Sequence, residues 1–468
     1  MRILLIWPSV KDGELFNFLP LGLGYVASNL PDGCEARLWD GVIKKEPNSG
    51  VLEEIALFKP DLIGISIWNF NLASAREVAE LIRGSYPEIT IVVGGPEPSG
   101  RKEKIFEVID ADYGFAGESE KPFRKFIETA AENGFQHESI RDISGIIYKD
   151  DTGVPVLAPV KWESIEDINY CDYELIDLKG YLDRGYHYGM HSRAIRTAPL
   201  LTTRGCPYSC EYCSARMVNG RKIRARKVES VIEEIKELHH TYKIDGFNII
   251  DDNFTFYKDY AKEVCREILK LELKNVSFNS PNGVRVEFLD KELLSIMKKV
   301  GWECVFIAPE SGSERTLKNM KKKLDLNVVA EKITMIKNAG MKVFGFFIIG
   351  YPGETEKDIN KSFDFARNNG FDYVVYTCFH PLAGTPATDK LEAAGEWIET
   401  GAGGDYYDVA YAPDGLTKRK LRMLRLWGLF RFYTSSFSRM YNAATSHSLK
   451  RKLLFIKKLL IPSRSYSG

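Results

Sequence analysis

Short apolar runs alternate with amphipathic stretches along most of this chain, and the alternation comes in two blocks. In the first, residues 2–7, 61–67 and 90–93 read as buried strands and 72–85 as an intervening helix. Strand, helix, strand in that order implies a doubly wound parallel sheet with helices on both faces. The second block begins near Leu200 and runs to about 390. Its candidate strands are 200–203, 246–250, 276–279, 304–307, 342–349 and 373–378, separated by helical segments such as 228–239 and 260–271. Six such units predict a partial (β/α)6 barrel, with its chemistry at the C-terminal ends of the strands. The fold class is therefore α/β, and 468 residues are too many for one ordinary core. The expected division is a sheet domain over 1–135, a connector over 136–190 with a hairpin of 145–148 and 154–156, the barrel over 191–390, and a basic helical C-terminal region over 391–468.

Charge is balanced overall, with 64 basic and 64 acidic residues, but it is unevenly placed. No Asp or Glu follows Asp414, whereas thirteen Lys or Arg lie between Lys418 and Arg464, so a body of −13 carries a tail of +13. Helical spacing in 418–433 and 449–461 puts Lys418, Arg422 and Arg425 on one face of the first segment, with Leu421, Leu424, Trp427 and Phe430 largely on another. Such helices suit an anionic bilayer interface, or equally a place across the open side of the barrel; nucleic acid ranks third. The first residues lack the cleavage site of a secretion signal, and no apolar stretch nears the roughly 20 residues that span a bilayer. The expected location is the cytoplasm, with peripheral contact to the inner face of the membrane.

Eight cysteines in a chain of this length do not make a disulfide scaffold. Cys34, Cys171, Cys265, Cys304 and Cys378 are scattered and read as small buried apolar residues. Cys206, Cys210 and Cys213 instead crowd into one loop after a predicted strand. The C-x-x-x-C-x-x-C spacing lets each sulfur reach a different iron of one cluster, and the missing fourth thiolate leaves one iron open, as catalytic metal sites require. Zinc is the competing reading, but structural zinc wants four closed ligands. His187 and His191 could be offered, although nothing in the sequence places them near the loop.

The triplet resembles the signature of the radical S-adenosylmethionine superfamily, and further matches follow in order. The resemblance implies a 4Fe–4S cluster on Cys206, Cys210 and Cys213, with Tyr212 against the adenine of S-adenosylmethionine. Asp251 and Asp252, in Ile249-Ile250-Asp251-Asp252-Asn253-Phe254, are similar to the segment near the methionine amine. Arg285 resembles the residue that pairs with the cofactor carboxylate. Glu310 and Ser311 open a Glu-Ser-Gly-Ser-Glu stretch near the ribose, followed by Leu317 and Lys321, and Gly350 and Gly353 lie in the glycine turn near the adenine. A late loop, Pro381-Leu382-Ala383-Gly384-Thr385-Pro386, also matches. Pro309 departs from the pattern, since relatives commonly have Gly there.

The first block resembles the cobalamin-binding domain of the cobalamin-dependent branch, which implies corrin contacts from Ser66, Gly94, Gly95, Gly117 and Glu118. The chain has no Asp-x-His-x-x-Gly sequence, so no histidine of that motif can ligate cobalt from below. The implied activity is cleavage of S-adenosylmethionine to a 5′-deoxyadenosyl radical, hydrogen abstraction, and methylation of an unactivated carbon in a small or lipophilic metabolite. An electron donor such as flavodoxin or ferredoxin is implied as a partner. A radical cyclisation or carbon–carbon coupling without methyl transfer is the alternative. A methylthiotransferase fits less well, since the first block has only Cys34, and a redox or cofactor sensor is the non-enzymatic reading. No side chain is singled out as a catalytic acid or base.

Overall fold

The computed structural model describes residues 1–9, 18–44, 47–189, 191, 194–397 and 409–445. They form two compact units. The described residues of Met1–Gly185, Ser214–Lys222 and Leu382–Gly404 make the first; those of Tyr186–Cys213, Ile223–Pro381 and Asp405–Gly468 make the second.

The first unit is built on a seven-stranded sheet. Its strands are β1 (Arg2–Trp7), β2 (Glu35–Asp40), β3 (Leu62–Ser66), β4 (Thr90–Gly94), β5 (Tyr113–Phe115), β6 (Ile146–Lys149) and β7 (Pro155–Leu157), in the order β2-β1-β3-β4-β5-β6-β7. The first five pair in parallel. Successive side chains of a strand point to opposite faces, so the buried runs feed two cores. Leu4, Ile6, Ile63, Ile65, Ile91 and Val93 fill one, and Ile3, Leu5, Trp7, Leu62 and Val92 fill the other. Between β1 and β3 the chain changes direction across the sheet, the switch point where open α/β sheets bind ligands beyond the strands' carboxyl ends. The hairpin expected in a connector is part of this sheet: β6 joins β5, and β7 joins β6, both antiparallel. It covers the edge of a three-residue strand that would otherwise leave backbone groups unpaired.

The second unit is a partial barrel of six parallel strands: β8 (Thr197–Leu200), β11 (Gly246–Ile249), β12 (Ser277–Asn279), β13 (Cys304–Glu310), β14 (Lys342–Ile349) and β15 (Tyr373–Cys378). They form two three-stranded sheets, β8-β11-β12 and β13-β14-β15, joined by parallel bridges at Phe278–Trp302 and Val284–Ile307. A small antiparallel pair, β9 (Thr203–Arg204) with β10 (Arg224–Ala225), lies beyond β8. β8 ends at Leu200, three residues short of the expected end at 203, so Thr202 lies in the loop above the strand and Thr203 opens β9. Pro309 leaves its mark on β13. Proline has no N–H for the ladder, and the register shifts between Ile307 and Glu310, leaving Glu310 at φ +69°.

Helix Lys418–Tyr433 closes the far edge of this sheet. Leu421, Leu424, Arg425, Gly428 and Phe432 form its buried stripe, so Arg425, expected on a solvated basic face, is buried. Gly428 lets the helix approach Phe363 so closely that a Cβ would stand 2.4 Å from the ring. Tyr433 Oη accepts from the Val374 N–H (3.3 Å) and donates to the Val374 carbonyl (3.1 Å), satisfying edge groups of β15. Its outer face carries Trp427 and Phe430, 51% and 59% exposed. The expected helix at 449–461 lies outside the described residues. Phe432→Ala should lower the stability of this unit by about 3–4 kcal/mol, whereas Phe430→Ala should change it by less than about 0.5 kcal/mol. Calorimetric unfolding of the two variants checks the difference.

Candidate active site

Every element of the site follows the C-terminal end of a barrel strand. The cysteine loop is anchored at its root by Asp251, just after β11. The Thr202 N–H and Oγ–H donate to its two carboxylate oxygens at 2.7 and 2.5 Å, and the Thr203 N–H and Oγ–H both reach Oδ2, at 2.9 and 2.7 Å. Burial pushes this carboxyl up to about 6, against the lowering effect of those four donors. Asp252 accepts from the N–H of Gly205, whose φ of +101° suits a residue without a side chain. The two aspartates thus hold the cysteine loop itself.

Cys210 is buried; Cys206 and Cys213 are half-buried, and burial raises the Cys206 thiol. Among the described residues no three His, Cys, Asp or Glu side chains converge as a single-ion site would need. A four-iron cluster takes each thiolate on a separate iron and asks for a wider spread. His191 bridges Ser277 (2.6 Å) and Asn248 (3.0 Å) at the start and middle of their strands, with the His187 ring 6.0 Å from its own. That is the strands' N-terminal side, away from the thiols. The other five cysteines form no disulfide, Cys34 being half-buried and the rest buried.

Beside the thiols, the Tyr212 hydroxyl donates to Glu310 Oε1 at 2.9 Å, and burial drives its acidity down. The Lys322 ammonium donates to both, at 3.2 Å each. Sequence motifs pointed to Lys321, but that side chain is exposed and pairs with Glu211 at 2.8 Å. Arg285 lies over the Tyr208 ring, 3.8 Å from its centroid, and donates to the carbonyls of Lys322 (3.0 Å) and Lys323 (2.8 Å) and to Glu287 (2.6 Å); only its buried Nε lacks a partner. Ser311 is fully buried, 3.1 Å from Ser362 Oγ, and accepts the Ser313 N–H, so it fastens its own loop. Gly350 (φ +75°) donates to Glu354 Oε2 at 2.6 Å, and the Gly353 carbonyl accepts from Arg315 at 2.9 Å.

Several buried polar atoms here have no partner: both amide atoms of Asn253, the Ser280 hydroxyl, and Glu354 Oε1. Leaving such groups unmade costs about 1–3 kcal/mol each, which a polar ligand would relieve. Sequence reasoning passed over Asn253 and Ser280, although Asn253 follows the two aspartates directly.

In the first unit, Ser66 and Gly94 end adjacent strands in register, and Gly95 has φ +107°. A Cβ on Gly94 would meet only Ser119 Oγ, at 3.8 Å, so bare backbone faces the sheet edge. The Gly117 N–H donates to Ser99 Oγ at 2.9 Å, with Glu118 next to it, partly exposed. An aromatic cluster missed from sequence lies at the carboxyl ends of β1 and β3. Trp7 meets Trp68 and Phe70 edge-on, and Phe18 stacks on Phe70 at 5.2 Å.

Residues 200–366 match the radical SAM superfamily, and residues 15–127 match the B12 binding domain. The chain is a radical S-adenosylmethionine enzyme with a B12 binding domain. An uncharacterized methyltransferase of Pyrococcus horikoshii is 28% identical over 391 residues, covering 82% of each chain. Cytidylyl-2-hydroxyethylphosphonate methyltransferase of Streptomyces wedmorensis is 29% identical, over 78% of this chain and 76% of its own. The solved structure of the cobalamin-dependent S-adenosylmethionine radical enzyme OxsB, with aqua-cobalamin and S-adenosylmethionine bound, superimposes with a TM-score of 0.75. It covers 98% of this chain and 70% of that one at 17% identity, and so shows the shared fold.

Membership in this branch of the radical S-adenosylmethionine superfamily gives the enzyme a 4Fe–4S cluster, S-adenosylmethionine and cobalamin as cofactors. The residues fit them. Three thiols on one loop suit the cluster, the unpartnered Asn253 and Ser280 suit a zwitterionic cofactor, and bare glycine backbone beside aromatic rings suits a flat corrin.

The glycine turn sets a pH dependence. Burial pushes the Glu354 carboxyl from 4.5 to about 8. A raised carboxyl favours the neutral form in the folded state, so its stability is fully present below pH 4.5 and declines as pH rises towards 8. Glu354→Gln should flatten that decline, by up to a few kcal/mol. Unfolding midpoints of both proteins between pH 5 and 8.5 check it; parallel curves would refute it.

Proposed function

We propose that this enzyme methylates an unactivated carbon of a small or lipophilic metabolite. The carrying observation is that one chain joins a radical S-adenosylmethionine domain, with its three-thiol loop, to a B12 binding domain. When bound, the cluster and S-adenosylmethionine supply a hydrogen-abstracting radical, and cobalamin supplies the methyl group.

In this reading Cys206, Cys210 and Cys213 ligate the cluster. Tyr212, Glu310, Asn253, Ser280 and the turn of Gly350 and Gly353 enclose S-adenosylmethionine, and the buried setting excludes water from it. Asp251, Asp252, Arg285 and Ser311 keep those groups in place. Ser66, Gly94, Gly95, Gly117 and Glu118 approach the corrin. No histidine occurs in residues 1–136. A small acidic electron carrier such as flavodoxin or ferredoxin supplies the electron.

Anaerobic protein reconstituted with iron, sulfide and hydroxocobalamin should carry four irons and produce both S-adenosylhomocysteine and 5′-deoxyadenosine, with one methylene added to the substrate. Cys210→Ala should abolish iron and both products, while Cys265→Ala should not. Formation of 5′-deoxyadenosine without cobalamin dependence would favour cyclisation or coupling instead.

Among the described residues no helix is long and apolar enough to cross a membrane. We further propose a cytoplasmic enzyme that touches an anionic bilayer. The support is the exposed row of Met423, Trp427 and Phe430 on a helix after which no acidic residue occurs. Full-length protein should float with vesicles containing phosphatidylserine but not with neutral ones, and a Trp427→Ala, Phe430→Ala double variant should float less. Equal flotation of both proteins, or of neither, would remove the claim.

A further inference from the structure

Lys322 is a buried cation of the active site, and no sequence motif pointed to it. We infer that Lys322 is a positioning residue: its ammonium fixes Tyr212 and Glu310 so that the second carboxylate oxygen of Glu310 is held towards bound S-adenosylmethionine. This rests on the reading of the site given above and extends it.

The hydrogen bonds are lopsided. Tyr212 and Lys322 both donate to Glu310 Oε1, and Lys322 also donates to the tyrosine oxygen, closing a triangle. No described residue donates to Oε2. One oxygen is thus spent on holding the side chain still, and the other stays available to a ligand hydroxyl. Lys322 and Glu310 are 7% and 8% exposed. A buried ion pair contributes little net stability over apolar packing, so stability alone does not account for it.

The neighbouring backbone is shaped to deliver this one ammonium. Lys321 and Lys323, on either side, have φ of +50° and +45°, left-handed values that cost a non-glycine residue free energy and persist only where surroundings enforce them. Those surroundings are on the cysteine loop and its neighbours. The Met320 carbonyl accepts the Glu211 N–H at 3.0 Å, Lys321 pairs with Glu211, and Arg285, stacked on Tyr208, takes the carbonyls of Lys322 and Lys323. The turn is therefore clasped to the thiol loop at Glu211 and, through Arg285, at Tyr208, and it turns Lys322 inward and its neighbours outward. Neither other cation can substitute: Lys321 is committed to Glu211, and Arg285 to the clasp itself.

Lys322→Met would leave Glu310 buried without a counter-charge and Tyr212 with one partner fewer. The test uses the full chain reconstituted with iron and sulfide, measuring S-adenosylmethionine affinity on the oxidised, unreactive cluster and the electron paramagnetic resonance spectrum of the reduced cluster with cofactor. Lys322→Met should keep its iron, bind S-adenosylmethionine at least about tenfold more weakly, and lose the cofactor-induced change in g values. Lys322→Arg should recover most of the affinity, and Lys318→Met, an exposed lysine outside the triangle and its clasp, should match wild type. Should Lys322→Met fail to take up iron, Tyr212→Phe decides, because it removes only the hydroxyl of the triangle: weakened binding with full iron supports the inference. Wild-type affinity and spectra in Lys322→Met, or in Tyr212→Phe where the first variant does not assemble, overturn it. A wild-type protein that takes up neither iron nor S-adenosylmethionine would instead sink the reading of the whole site.

Discussion

The carboxylate of Asp251 is the point on which the active site hangs. Four donors from two consecutive threonines hold it, one on Oδ1 and three on Oδ2, and two of those donors are backbone N–H groups that fix where the chain leaves β8. Three residues later the thiol loop begins. A loop carrying three metal ligands cannot rely on its own ladder or helix bonds, so its geometry must be imposed from outside. The carboxylate imposes it at one end, and the turn at 320–323 with Arg285 imposes it along the rest. Burial opposes ionisation of Asp251 and the donors favour it, so the group is costly to bury and useful only because both oxygens are engaged.

The same economy recurs around the barrel mouth. Pro309 interrupts the ladder of β13 and Glu310 adopts a left-handed conformation, in a strand that would otherwise run straight past the site. The serines after it turn inward to Ser362 and Asp358, tying their loop to helix Glu356–Asn368. Left-handed backbone at Glu310 and on either side of Lys322 lies where side chains must face the cofactor, and the regular strands beneath supply the rigidity that makes such irregularity tolerable.

Much of this architecture was legible in the sequence, because burial on both faces writes parallel strands as continuous apolar runs and because three crowded thiols have few other uses. What escaped is instructive. The hairpin at 146–157 was expected, but its place in the sheet was not, because the pairing of β6 with β5 joins residues far apart in sequence and leaves no periodic signal. Lys321 and Lys322 are indistinguishable by composition; two left-handed dihedrals decide which is buried. Arg285 and Ser311 were expected to touch the cofactor, yet both are largely engaged by the protein, since motif spacing locates a residue without saying what its hydrogen bonds serve. Arg425 looked solvated by charge alone, although it falls on the stripe of Leu421, Gly428 and Phe432 that packs inward. The aromatic cluster of Trp7, Trp68 and Phe70 assembles from the end of β1 and the segment that follows β3, and could not be read from either alone.

Tyr433 has a bearing on how the molecule is made. A partial barrel is a sheet with free ends, and here the hydroxyl that satisfies the outer strand comes from near the C-terminus, about sixty residues beyond the Val374 groups it pairs with. During synthesis β15 therefore emerges with its edge bare, and it stays so until helix Lys418–Tyr433 has followed it out. A nascent chain stalled before that helix would present an apolar parallel edge to any neighbour. On the ribosome the barrel is completed late, and chaperones have their longest opportunity to act between residue 378 and residue 433.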